Sequence, residues 1–207
     1  MKSLLTAFIV IASSLLSRAQ NTPSETDLSA MKSGETVVFD GSGHAKSKGL
    51  EFSIKVPKSW AMKEGGTPNI VQKFYNENGT GSVQLHIISR TLPSPSTPEI
   101  LENLYSEPAI RNVAEQLGTS FIRSSSSAID GEPAGYCEYR TEKGWMGGDF
   151  CTHGCFFIVC WETTMIHFNF VVGKKGKTDE QAAIEFAEYL PVFRAITNSF
   201  VLKDKRK

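Results

Sequence analysis

The sequence predicts an α+β fold: an antiparallel β-sheet of about six strands sandwiched between N-terminal or middle helices and a C-terminal helix. Three observations predict it. Apolar and polar residues alternate in FSIKV (Phe52, Ile54, Val56) and in VQLHI (Val83, Leu85, Ile87), the two-residue period of a half-buried strand. The period changes to that of a helix between Pro98 and Leu117, and again between Thr178 and Phe200. In FFIVCW, Phe156 to Trp161, both parities are apolar, which requires a central strand covered on both faces.

The chain opens with MKSLLTAFIVIASSLLSRA. A lysine, an apolar run from Leu4 to Leu16 and a small-residue end at Ala19 form the pattern of a secretory signal peptide, residues 1–19. The run is too short for a membrane span, which needs about 20 apolar residues. A soluble protein, secreted or periplasmic after cleavage, is expected. Lys2 and Arg18 leave with the leader, so 20 basic residues stand against 22 acidic ones, a net charge near −2. That balance offers no electrostatic basis for binding nucleic acid.

Residues 20–34 are rich in Pro, Ser and Thr and read as a flexible linker. A single domain then spans 35–202. ETVVFD is its first strand and DGSGHAKSKG a loop. The loop imitates a phosphate-binding motif, but Ala45 stands where a glycine must precede Lys46, so His44 is read as exposed. LEFSIKV is the next strand, stopped by Pro57. Two β-rich runs around Asn76 to Gly81 form a hairpin, whose NGT (Asn78 to Thr80) is a turn or a glycosylation sequon. Thr97 is an N-cap with Pro98 at the first helical position, Pro108 interrupts the helix, and Gly118 closes it. A strand from Phe121 weakens through Ser124 to Ser127 and reaches IDGEPAGYCEYR, where Asp130 and Glu132 are turn residues. A long strand to Trp161, a turn at Glu162 to Thr164 and a strand to Val172 follow. Thr178 and Gln181 form a capping box for the last helix, expected to kink or restart at Pro191. Residues 203–207, KDKRK, are a basic, solvated tail.

FSIKVPKSW (Phe52 to Trp60), IDGEPAGYCEY (Ile129 to Tyr139) and FRAITNSF (Phe193 to Phe200) resemble the PsbP/Mog-type fold, in particular uncharacterised exported bacterial proteins of the PsbP-like group. The resemblance covers roughly residues 35–202. It implies an antiparallel sheet between helical layers and no shared catalytic motif. Two of that family's members, an extrinsic subunit of the oxygen-evolving complex and a Ran-binding protein, act by binding.

DFCTHGCFFIVCW holds three of the four cysteines. If Lys143 to Trp145 form the loop before it, Cys137 faces Cys151. Strand parity puts Cys151, His153 and Cys155 on one face and Cys160 on the other, buried and free. An even cysteine count in an exported chain favours oxidation, so a disulfide is expected among Cys137, Cys151 and Cys155, with the pairing open. Cys137, Cys151, His153 and Cys155 also have the donor chemistry for zinc or copper, although Cys-x-His-x-Cys on one strand lacks the usual spacing. No cofactor is otherwise implied.

No Gly-x-Ser-x-Gly elbow is present. A dispersed active site would have only His86, His167 and Glu162 to draw on. The reading favoured is a non-catalytic exported binding or assembly module for a protein or small ligand, with loops His44 to Gly49 and Pro93 to Pro98 in its contact surface.

Overall fold

A computed structural model describes residues 22–78, 81–141, 150–176 and 178–206. The expected leader therefore lies outside the described residues, as do positions 79 and 80 of the Asn-Gly-Thr sequence.

The polar stretch expected to be a linker is a helix, α1 (Pro23–Ser33). Thr22 and Glu25 close a capping box, Pro23 occupies the first turn, and Gly34 ends the helix in the left-handed conformation at φ 85°. Composition concealed a strong start signal: TPSE carries both the cap and its reciprocal glutamate. Leu28 and Met31 pack on the main core.

Strands β1 (Thr36–Asp40), β2 (Phe52–Pro57) and, at the far end of the chain, β10 (Val201–Leu202) make a small antiparallel sheet in the order β1-β2-β10. The large sheet contains β3 (Ala61–Glu64), β4 (Ile70–Asn78), β5 (Gly81–Thr91), β6 (Ser120–Ile129), β7 (Glu132–Thr141), β8 (Phe150–Trp161) and β9 (Thr164–Lys175). Its order is β3-β4-β5-β9-β8-β7-β6, every pair antiparallel. The fold is α+β, with seven strands and a separate three-stranded sheet rather than one sheet of six.

Helices α2 (Pro98–Leu104) and α3 (Glu107–Gln116) begin under Thr97 and around Pro108, where the sequence places them. The last helix, α4 (Asp179–Asn198), starts at the Thr178–Gln181 capping box and passes through Pro191 without a break.

β8 lies between β9 and β7 and is covered on both sides, as its double apolar parity requires. Cys155, Phe157 and Val159 face the core shared with α4 and the small sheet. Phe156, Ile158 and Cys160 face Ile110 and Ala114 of α3. On the α4 side, Phe170 stacks on Phe193 with centroids 4.6 Å apart. On the other, the Tyr139 ring crosses β8 at Gly154, where a Cβ would come within 2.5 Å of it. Only glycine allows that approach.

The basic tail is not loose in solvent. Lys203 Nζ lies 2.6 Å from Asp40 Oδ2, Lys205 Nζ 2.5 Å from Glu132 Oε1 and Arg206 Nη2 3.1 Å from Asp130 Oδ1. The carboxylates of one turn residue and two strand ends hold the segment that composition alone reads as free.

Candidate functional site

The β8–β9 connection is a two-residue turn between two interior strands of the large sheet. Glu162 takes a left-handed conformation, φ 51°, so that two residues can reverse the chain. Its carbonyl oxygen accepts from the Ser96 N–H at 2.7 Å, and that of Thr163 accepts from the Leu92 N–H at 2.7 Å. The loop between β5 and α2 is thus hung on this turn. From the other direction, Thr164 Oγ1 donates to the Lys48 carbonyl oxygen at 3.4 Å. Loops separated by more than forty residues of sequence meet on the same turn.

The glycine-rich loop is itself braced. His44 Nδ1 accepts from the Lys46 N–H at 3.2 Å, starting a single 3₁₀ turn, Ala45–Ser47, and Lys48 leaves it in the left-handed conformation, φ 58°. Lys46 Nζ donates to the Gly65 carbonyl oxygen at 2.6 Å and to Glu64 Oε1 at 3.2 Å, and the Lys46 carbonyl oxygen accepts from Ser89 Oγ. His44 is half-buried, edge-on to Phe39, and not exposed as its loop position suggests, because a ring next to the cap finds apolar cover. Lys48, Pro93, Ser94, Pro95, Glu162 and Thr163 remain exposed, forming a rim with one lysine, one carboxylate and two prolines.

The sulfur-rich hairpin is arranged differently from the expectation. Cys137 stands opposite Phe156, and Glu138 opposite Cys155, so Cys137 does not face Cys151. The connection between β7 and β8, residues 142–149, lies outside the described residues, but the pairing of Thr141 with Thr152 sets a register different from the one that a loop at Lys143 to Trp145 would give. Parity within β8 is as read: Cys151, His153 and Cys155 share a face and Cys160 takes the other. Cys137 packs with Cys160, on the opposite side of the sheet from Cys155. A disulfide needs Cβ atoms about 3.5–4.5 Å apart. Partners on opposite faces do not meet that, nor do Cys151 and Cys155, four residues along one strand and about 13 Å apart. All four thiols are free. The same split divides the four-donor metal set, and among the described residues no three His, Cys, Asp or Glu side chains are grouped to hold a metal ion.

His153 instead has a partner that sequence reasoning missed. Its Nε2 lies 2.9 Å from Asp179 Oδ1, and Arg140 Nη1 lies 3.2 Å from the other carboxylate oxygen. The His153 hydrogen bond, above all, holds the Asp179 carboxyl below the usual carboxylate range. Asp179 follows the Thr178 cap, where a carboxylate in the first turn is expected, but only the fold brings β8 beneath it.

His86 and His167 lie on one face of the sheet, opposite Asn169 and Ile88 respectively. Glu162 is at the strand end, five residues from His167 and so about 16 Å along the chain. The trio does not form a site. Burial pushes His167 down to about 3, with Arg90 adding to the effect, and its Nε2 has no hydrogen-bond partner. Burial, and then the charge of Lys73, pulls His86 down to about 4. Asp130 fills its expected turn role in the left-handed conformation, φ 50°, and Oδ2 accepts from the Leu202 N–H at 2.9 Å.

No protein-family model matches the chain, and no curated protein matches it in sequence. Solved structures match in shape. LpqN, involved in cell envelope biogenesis in Mycobacterium tuberculosis, aligns over 88% of this chain and 98% of its own, with a TM-score of 0.50 at 8% identity. The Ran-binding protein Mog1p of Saccharomyces cerevisiae aligns over 83% and 97%, with a TM-score of 0.39 at 11% identity. A crystal structure from Bacteroides thetaiotaomicron aligns over 75% of this chain, with a TM-score of 0.38 at 18% identity. This chain spans 46% of that protein's length. At these identities the likeness to LpqN is one of fold.

Proposed function

We propose that this chain is an exported, non-catalytic binding or assembly module of PsbP-like type, whose contact surface is the rim formed by 44–49, 92–98 and the Glu162–Thr163 turn. One observation carries the reading: backbone hydrogen bonds from Leu92 and Ser96 to Thr163 and Glu162, with Thr164 on Lys48, fix two remote loops as one surface. Loops placed by a rigid sheet are where binding residues concentrate. Export rests on the leader pattern at 1–19. LpqN, which is of similar fold, is involved in cell envelope biogenesis, a role in keeping with that leader. No helix among the described residues is long and apolar enough to cross a membrane.

The experiment is site-specific photo-crosslinking from Ser94 and from Ala45, with Glu188, exposed on α4, as control. The reading expects the same discrete adduct from both loop positions and none from Glu188. Identical adducts from all three positions, or adducts from Glu188 alone, would sink it.

A further inference from the structure

One row of side chains crosses the large sheet in direct register: Cys137, Phe156, Asn169, His86, Lys73 and Lys63. At the β7 and β8 end, this row is buried under α3. At the β3–β4–β5 end it is open. β5 is an interior strand, yet Gln84, His86 and Ile88 are half-buried while Val83, Leu85 and Ile87, on the α4 side, are fully buried.

Lys63 and Lys73 are directly opposite each other. Side chains so placed have Cβ atoms about 4.5–5.5 Å apart, and like charges there destabilise the sheet. Neither lysine has an ion-pair partner among the described residues, in contrast to Lys46, Lys203 and Lys205. Arg90, exposed, lies on the same side at the loop end of β5. The neighbouring row contains His167, whose buried Nε2 is unpaired. Lys63 and Lys73, facing each other on this half of the face, place two like charges side by side without a carboxylate bonded to either among the described residues. The net charge near zero means that the surplus is local. Such a local conflict is the mark of a surface completed by something else.

We propose that the open face of β3, β4 and β5 docks an acidic peptide segment of a partner protein, its carboxylates seated on Lys63 and Lys73 beside His86. Tyr75 and Gln84, facing each other in the adjoining row, lie beside Lys73 and His86. These hydrogen-bonding side chains suit peptide amides better than acyl chains. The carboxylates supply the counter-charge that the lysine pair lacks. This surface is distinct from the loop rim and stands whether or not the rim binds a partner.

The test is fluorescence anisotropy of a labelled oligoglutamate peptide, with an oligoglutamine peptide of equal length as control and anionic phosphatidylglycerol vesicles as a separate arm. Wild-type protein binds oligoglutamate, and more weakly as salt rises. K63Q/K73Q loses about tenfold in affinity, while Lys32→Gln, at an exposed lysine on α1, leaves it unchanged. K63Q alone, at an edge strand where folding is not at risk, weakens binding and raises the melting midpoint by on the order of 1 to 3 °C, because it removes the like-charge pair. Opposite movement of affinity and stability separates a docking site from a structural role. Absence of binding, equal weakening by K32Q, no effect of K63Q on either quantity, or binding to vesicles but not to peptide would each overturn the proposal.

Discussion

Trp60 Nε1 donates to Asp27 Oδ2 at 2.9 Å, so the residue between β2 and β3 is tied to the helix formed by the polar stretch at Pro23–Ser33. Ser59 Oγ donates to Asp27 Oδ1 at 3.0 Å and Asn76 Nδ2 to Oδ2 at 2.5 Å. Three donors converge on one buried carboxylate, which makes α1 part of the domain. Asp27→Ala leaves the buried Trp60 N–H without a partner and Asn76 with only its longer bond to Tyr189, and is expected to cost about 3 kcal/mol, read as a lower urea midpoint with an unchanged slope. A loss below about 0.5 kcal/mol, the scale of an ordinary surface substitution, would show that α1 is dispensable.

Acid should loosen this fold through two histidines. Unfolded imidazoles titrate near 6.5; in the fold, burial holds His86 near 4 and His167 near 3. Between those values the unfolded chain binds more protons, so stability is fully present above about pH 6.5 and falls as pH drops towards 4, by at most about 1.4 kcal/mol per pH unit for each histidine. His167→Leu removes one contribution together with an unpaired buried nitrogen. Urea midpoints at about pH 7 and pH 5 should differ less in the variant than in the wild type. An identical difference in both would contradict the assignment.

Thiol chemistry should be confined to one position. Burial pushes the Cys137 thiol up to about 12 and that of Cys160 to about 11, and holds Cys155 well above its ordinary value. Cys151 is half-buried. Alkylation of the native protein, read by intact mass, should add one label that Cys151→Ser abolishes, and four labels after denaturation. A native product that takes no label and gains mass only on reduction would restore the disulfide.

What the sequence discloses here is local. Thr97 with Pro98, Thr178 with Gln181, the alternation of Val83, Leu85 and Ile87 and the double parity of Phe156 to Trp161 each report a short-range preference, and each is found where expected. α1 was legible too, in TPSE, but its composition argued louder than its cap. Long-range facts were out of reach. The β7–β8 register depends on where the chain reverses between Thr141 and Phe150, which no local preference fixes, so the sequence does not determine whether Cys137 faces Cys151. Pairing of Lys63 with Lys73, the His153–Asp179 contact and the anchoring of the basic tail on Asp40 and Asp130 all join distant segments. The loop rim is half visible in the sequence: both loops are legible as exposed segments, and only the turn that unites them requires the fold.

The account depends on those two loops acting as one surface, and backbone hydrogen exchange tests that directly, first on the free protein and then with the crosslinked partner added. The Leu92 and Ser96 amides should exchange slowly when free, like the strands that flank the turn they are bonded to, and on addition of partner, protection should rise together across 44–49 and 92–98. Fast exchange of those two amides in the free protein, or a rise confined to α4, would contradict it.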